Sequence, residues 1–376
     1  RLDLETELEN LSVGEEQQVE ILKLLYRKAN VLILDEPTAV LTPQEVDLLF
    51  ERLKELNRAG RTIIIITHKL HEILHFTKNV TVMRQGKVVT TLPTKELDEP
   101  KLAELIIGRK AKTLSRVPAK RAENAIPVLS LKNVSLRPKK SPRPTLDDLS
   151  FDLYPGEVLG VAGISGNGQQ ELIEILSGIE SRYEGEAILL GRALKDWQTY
   201  DIKQKGFGLI PADRNEDGLV GSFPVQDNLT LGHHLEPRFS QGLYRSNTKI
   251  AKETEPLLEK YDIRPRSLTA AVGRLSGGNQ QKVIIAREID DNLKFLLAAY
   301  PTRGVDIGAI EFIHDLFQKK KQAGAGILLI SSELEELFQL SDRLLVLYDG
   351  KIAGVADPKT ITPRDIGLLM TGCKIA

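Results

Sequence analysis

Cysteine is almost missing from this chain: Cys373 is the single one among 376 residues. One thiol excludes an intrachain disulfide framework and a cysteine-built metal site, and it fits a reducing compartment. An excess of one charge is missing too. Lys and Arg number 51 against 52 Asp and Glu, a net charge of -1. A dedicated nucleic-acid binder would carry a basic excess or a basic face, so that class is disfavoured. No apolar run approaches the ~18 residues that cross a bilayer. The longest aliphatic stretches, Ile63 to Ile66 and Ile327 to Ile330, read as buried strands. No signal peptide is visible, and the first residue is Arg rather than Met, which reads as a hint of truncation.

What is present is an ordinary globular balance, 41% hydrophobic and 27% charged, over a length that suggests two domains or slightly more. The chain also repeats itself. Leu11-Ser12 aligns with Leu275-Ser276, Pro37-Thr38 with Pro301-Thr302, Gly86-Lys87 with Gly350-Lys351, and Gly108 with Gly372, always 264 residues apart (275 − 11). No gap interrupts this register, so one domain is read as duplicated. The second copy starts near Val128. Residue 1 then corresponds to residue 265, and the first copy lacks the counterpart of roughly 128–264. The expected layout is 1–109 for the latter part of a first domain, 110–127 for a polar, basic linker, and 128–376 for a second domain.

Short apolar runs at Val31 to Leu34 and Thr62 to Ile66 have strand length. Glu15 to Lys28 and Pro43 to Ala59 have helical spacing. Glu157 to Ala162 reads as a strand entering a Gly-rich turn, followed by a helix over Gln169 to Leu176. Strands alternating with helices predict an α/β fold with a largely parallel sheet.

Three motifs carry chemistry. The strand Val31 to Leu34 runs into Asp35-Glu36-Pro37-Thr38. A doubly buried strand fixes its last residues at the sheet edge where ligands bind, so Asp35 is placed to hold Mg²⁺, directly or through water. Glu36 is placed to orient or deprotonate a water attacking a phosphate. His68 ends the next apolar strand, where an imidazole can bond a terminal phosphate and sense its loss. Leu275 to Lys282, with Ser276, Gly277, Gly278, Asn279, Gln280 and Gln281, precedes a helix whose N-terminus offers N–H groups to an anion.

With these residues in place, the chain resembles the ABC transporter nucleotide-binding domain, a P-loop NTPase, over essentially its whole length. The resemblance implies two such domains facing head to tail. Each ATP lies between the phosphate loop and acids of one and the signature of the other. Comparing the copies shows an asymmetry. Asp35, Glu36 and His68 correspond to Ala299, Tyr300 and Ser332. The second copy's loop, Gly163-Ile164-Ser165-Gly166-Asn167-Gly168-Gln169-Gln170, keeps the glycines of G-x-x-G-x-G-K-[ST]. Gln169 stands for the Lys, and Gln170 for the hydroxyl residue that binds Mg²⁺. Ala212 takes the place of a family Gln or Glu. The first signature, Leu11-Ser12-Val13-Gly14-Glu15, is the altered one, with a branched side chain and a repelling acid. Head-to-tail pairing collects every loss in one composite site. The other joins Asp35, Glu36 and His68 to Ser276, Gly277 and Gly278. Its Lys-bearing phosphate loop is not among the 376 residues, which are therefore expected to hydrolyse ATP poorly alone.

Tandem domains with a short linker resemble the ATPase subunits of bacterial sugar and nucleoside importers. Glu20 to Arg27, Pro37 to Glu45, Gly208 to Arg214 and Pro301 to Gly304 look most like the nucleoside branch. The resemblance implies ATP and Mg²⁺ as cofactors. It implies two membrane permeases and an extracytoplasmic solute-binding protein as partners, with no nucleic acid. Location would be peripheral, on the cytoplasmic membrane face, through the permeases. Two other readings remain open: an ABC protein acting on ribosome or DNA, disfavoured by the short linker and single Cys, and a non-hydrolytic regulatory remnant. Neighbouring His233 and His234 read as a surface loop rather than a metal site.

Overall fold

The structure, a computed structural model, describes residues 29–38, 43–67, 69–84, 86–108, 125–137, 144–233, 236–241 and 244–373, together with residues 19, 20, 22, 23 and 26. Two compact units result: residues 1–113 with 164–166 and 363–376, and residues 114–163 with 167–362. The final helix groups with the first unit rather than with the expected 128–376.

In the first unit the order is β1 (Val31–Asp35), α1 (Pro43–Arg58), β2 (Thr62–Ile66), α2 (Leu70–Phe76), β3 (Asn79–Arg84), β4 (Lys87–Pro93) and α3 (Glu99–Ile107). Helix α1 opens on Pro43, which has no N–H to leave unbonded. Glu45 in the first turn and Arg58 in the last turn suit the helix dipole. Its Phe50 and Leu53 are buried with Leu34. Asp98 caps α3 by accepting from the Lys101 amide at 2.8 Å, and Gly108 closes it at φ 82°. Strands β1 and β2 pair in parallel with Asp35 opposite Ile66, while β3 and β4 are antiparallel.

The second unit holds β5 (Leu129–Leu136), β6 (Leu146–Leu153), β7 (Val158–Ala162), α4 (Gln169–Leu176), β8 (Glu184–Leu189), β9 (Arg192–Ala193), α5 (Thr199–Gln204) and β10 (Phe207–Ile210). There follow α6 (Val225–Leu229), β11 (Ser240–Gln241), β12 (Tyr244–Arg245), α7 (Asn247–Lys260), α8 (Gly277–Glu288), β13 (Phe295–Ala299), α9 (Ile307–Gln322), β14 (Gly326–Ile330), α10 (Leu334–Leu340), β15 (Arg343–Tyr348) and β16 (Lys351–Ala356). The last helix, α11, spans Pro363–Met370. The main sheet runs β10-β13-β14-β7-β15-β16, parallel except for β16, beside an antiparallel sheet β6-β5-β8-β9. Every residue of β7, β13 and β14 is buried, as expected for parallel strands covered on both faces.

The first-unit elements recur in the second. Helices α1 and α2 and strands β1, β2 and β3 each have a partner beginning and ending 264 residues later (307 − 43). Both β3 and β15 carry an irregularity at the matching place, Val82/Met83 and Val346/Leu347. Burial differs, however. Ile327 to Ile330 are buried as the sequence predicts, but Ile64 and Ile66 are 47% and 52% exposed. Strand β1 alternates between exposed and buried, so the first unit covers one face of these strands and the second unit covers both.

Candidate nucleotide site

Asp35 is the last residue of β1, exposed, and Glu36 follows in the left-handed region at φ 44°. Its amide donates to the Ile66 carbonyl at 2.8 Å, which ties the acidic turn to the end of β2. A side-chain-bearing residue held at positive φ is sparsely populated backbone, kept by its surroundings. Behind the turn, Glu72 is 4% exposed and accepts hydrogen bonds from the hydroxyls of Thr38 and Thr67, the latter at 3.1 Å. Lys69 donates its backbone N–H to the Thr67 hydroxyl at 3.0 Å and its ammonium to the Thr38 carbonyl at 3.3 Å. The carboxylate of Glu72 thus braces the two loops that follow β1 and β2. Sequence reading passed over it, since a single Glu on a helix carries no motif. His68 and the altered signature Leu11 to Glu15 lie outside the described residues.

Among the described residues no cluster of three or more His, Cys, Asp or Glu could hold a metal ion. A phosphate-bound Mg²⁺ keeps several waters and needs only one or two carboxylates, so Asp35 at an exposed strand end suits it.

The corresponding turn in the second unit has the same backbone shape and carries no carboxylate. Tyr300 has φ 46°, and its amide donates to Ile330 at 2.7 Å. Ala299 is fully buried, and Tyr300 packs on the core together with Ala212. Burial holds the Tyr300 phenol above its usual range, so neither residue offers an anionic oxygen to a metal. The brace survives in altered form. Glu336 accepts from the Ser331 hydroxyl at 2.6 Å and bonds His314 Nε2 at 2.9 Å.

The Gly-rich loop bridges β7 and α4, as the sequence predicts. Gly166 and Gly168 sit at φ 89° and 107°, which only glycine adopts readily. Ser165 and Gln170 are exposed, and Gln170 donates to Glu174 at 3.0 Å. Gln169 is 2% exposed and folds back into the loop, where its carboxamide oxygen accepts from the Asn167 amide at 3.2 Å. A Cβ on Gly163 would collide with the Gln169 amide nitrogen, so glycine at 163 makes room for that side chain. Asn167 in turn accepts from the Asp349 amide at 2.7 Å and the Gly350 amide at 3.3 Å. A backbone N–H that could cradle phosphate is therefore spent on Gln169.

The intact signature opens α8. Ser276 is the N-cap residue, exposed, and makes no side-chain cap; its hydroxyl instead accepts from Asn279 at 2.9 Å. Gly277 and Gly278 form the first turn, where helix N–H groups face outward for an anion. Gln280 is 8% exposed and donates to the Val272 carbonyl at 3.3 Å, which makes it a brace of this turn rather than part of its open surface. Elsewhere, His233 bonds Glu236 at 2.6 Å, and His234 lies outside the described residues.

A family model described as ABC transporter matches residues 2–39 and 146–303. The nucleoside import ATP-binding protein NupA of Lactococcus lactis subsp. cremoris is 39% identical over 98% of this chain and 72% of its own length. The guanosine import ATP-binding protein NupO of Bacillus subtilis is 41% identical over 98% of this chain and 72% of its own. The glucose import ATP-binding protein TsgD13 of Haloferax volcanii is 40% identical over 99% and 67%. The ATP-binding cassette MJ0796, solved as a dimer after hydrolysis with ADP and Pi, superposes with a TM-score of 0.54 at 22% identity. That match spans 62% of this chain and 100% of the other, and it establishes the fold. This chain belongs to the ABC transporter ATPases, with their P-loop NTPase fold of mixed α/β class. Among the described residues no helix is long and apolar enough to cross a membrane.

Proposed function

We propose that the chain is the ATP-binding subunit of an ABC importer for a small solute, a nucleoside before a simple sugar, built from two copies of one nucleotide-binding domain. One hydrolytic site forms from the first copy's Asp35, Glu36 and His68 facing the second copy's Ser276, Gly277 and Gly278. The other pairs the loop 163–170, Ala299, Tyr300 and Ser332 with the signature at 11–15, and does not turn over. The recurrence at 264 residues and the two separate matched stretches, 2–39 and 146–303, support the duplication. The nucleoside and sugar import relatives support the solute class and, as partners, two permeases with a solute-binding protein. The chain is then peripheral, held at the cytoplasmic face by the permeases.

The observation that carries the single-site reading is the pair of matching turns at Glu36 and Tyr300. Their backbones agree, and only one bears carboxylates. In the working site Asp35 would hold Mg²⁺, directly or through water, and the ion would supply neutralisation of phosphate charge. Glu36 orients the attacking water and takes its proton, His68 bonds the terminal phosphate, and the N–H groups at the start of α8 receive the developing charge. The test is ATP turnover of Glu36→Gln in the transporter assembled with a phosphate loop for the first copy. Turnover is lost and ATP binding is kept. Nucleotide binding without turnover in the unmodified transporter would favour a regulatory remnant instead.

A further inference from the structure

Two stretches of the second copy that the site above does not use, Gly208 to Arg214 and Pro301 to Gly304, meet at one guanidinium. Strand β10 ends at Ile210, and Asp213 then accepts from the amides of Asn215 and Glu216 at 2.7 and 3.2 Å. That turn places Arg214 at the head of the segment 214–218. Its Nη1 donates to the Arg303 carbonyl at 2.6 Å and Nη2 to the Gly304 carbonyl at 3.5 Å. Residues 303 and 304 lie in the turn after β13, where the Arg303 amide donates to Tyr300 at 3.1 Å and Gly304 sits at φ 62°.

The signature rests on this assembly. A Cβ on Gly277 would lie 2.8 Å from Arg214 Nη2 and 2.8 Å from the Gly304 carbonyl. A Cβ on Gly278 would lie 2.8 Å from Asp306 Oδ2, and Asp306 caps α9 by accepting from the Ala309 amide at 2.9 Å. Neither signature glycine has a positive φ. Close packing, not backbone freedom, therefore requires glycine here: the turn at 303–306 and the Arg214 fork press directly under the first turn of α8.

We infer that Arg214 is a positioning residue of the hydrolytic site, holding the signature turn at Gly277 against the turn at Arg303 and Gly304. This rests on the functional reading above. A planar fork spans two carbonyls, which a lysine's single point charge does not. The fork also brings positive charge to the positive end of α8, an arrangement that costs free energy until an anion arrives. Phosphate docking on the N–H groups of α8 relieves that cost, so Arg214 acts in the state in which both copies grip one nucleotide.

The experiment is steady-state ATP turnover of Arg214→Ala and Arg214→Lys in the assembled transporter, with Glu36→Gln run in parallel and the melting midpoint of each variant recorded. Arg214→Ala lowers kcat at least about tenfold while KM for ATP moves less than about threefold, because the phosphate loop that first captures ATP is on the other copy. Arg214→Lys recovers little. Gly277→Ala lowers kcat strongly in the natural background and by a smaller factor in Arg214→Ala, since of the two groups its Cβ would crowd the guanidinium is gone and only the Gly304 carbonyl remains; this non-additivity is a readout that a remote structural role would not give. Unchanged kcat in Arg214→Ala, full recovery by Arg214→Lys, or a rate that falls only in step with folded protein overturns the inference. Should Arg214→Ala not accumulate, Arg214→Lys decides: loss of turnover at an unchanged melting midpoint supports it, and natural turnover overturns it. Residual full activity in Glu36→Gln overturns the functional reading instead, whatever Arg214 does.

Discussion

Glu72 and Glu336 stand at equivalent places in the two units, each buried and each bracing the loop after a parallel strand. In the first unit the partners are the hydroxyls of Thr38 and Thr67. In the second they are Ser331 and His314, and His314 takes the place of Phe50, which stacks on Phe76 in the first unit. A buried carboxylate stands behind the turn in both units with different partners, while acids at the turn itself are present in only one. A buried carboxylate left without partners is costly, so selection for folding alone preserves the brace. Asp35 is exposed at its strand end and Glu36 half-buried beside it, so it is the chemistry proposed for them, rather than deep burial, that sets these acids apart from Glu72.

The largest expected effect that separates the units is on turnover. Asp35→Asn should lower ATP hydrolysis of the assembled transporter by about a hundredfold or more, as loss of a transition-state charge stabiliser does. Tyr300→Glu should leave it within about twofold, because Gln169 and Ser332 still lack the needed groups. A clear gain from Tyr300→Glu would break the asymmetry.

Next comes stability. Glu288 is buried between Lys203, 3.2 Å away, and Arg287, at 2.7 Å. Burial pulls its pKa upward, yet the two cations outweigh burial and hold the carboxyl below its ordinary 4.5. Because the folded value is the lower one, its contribution is complete above pH 4.5 and is lost as pH falls below that through the folded value. Glu288→Gln should destabilise the second unit by about 3 kcal/mol near neutral pH. The loss should shrink as denaturation is followed into acid. A loss independent of pH would contradict this.

Gln169→Lys should strengthen nucleotide binding to the loop 163–170 by roughly 2 kcal/mol, by freeing the Asn167 amide and adding a charged donor. Titration calorimetry with ATP and Mg²⁺ reads this directly, and an unchanged isotherm would show that Gln169 does not close the loop. The smallest effect should come from His314→Phe, which copies the first unit. It removes one partner of Glu336 and should cost about 1 kcal/mol in chemical denaturation. A gain in stability would mean that the Ser331 hydroxyl alone satisfies the carboxylate.

Much of this was legible in the sequence. The helix at 169–176, the strand at 62–66, and the helix from Pro43 emerge where periodicity and turn residues placed them. Glycine spacing marked the loop at 163–168 because positive φ demands glycine there. Burial was legible only in the second unit. An apolar run such as Val31 to Leu34 looks the same whether one face is covered or two, so the exposure of Ile33 and Ile64 carries no local signal. Side-chain contacts across long separations were invisible as well. Arg214 reaches Arg303 across 89 residues, and Glu336 reaches His314 across 22. Neither pair is a motif. The inward fold of Gln169 depends on the empty space at Gly163, which sequence spacing does not reveal.

The most direct test of the account remains ATP turnover by Glu36→Gln in the assembled transporter, measured beside ATP binding. The account predicts a fall on the order of a thousandfold with binding retained, because one carboxylate serves the whole assembly. Turnover near half of the natural rate would mean that a second site hydrolyses ATP, and the single-site claim would be wrong.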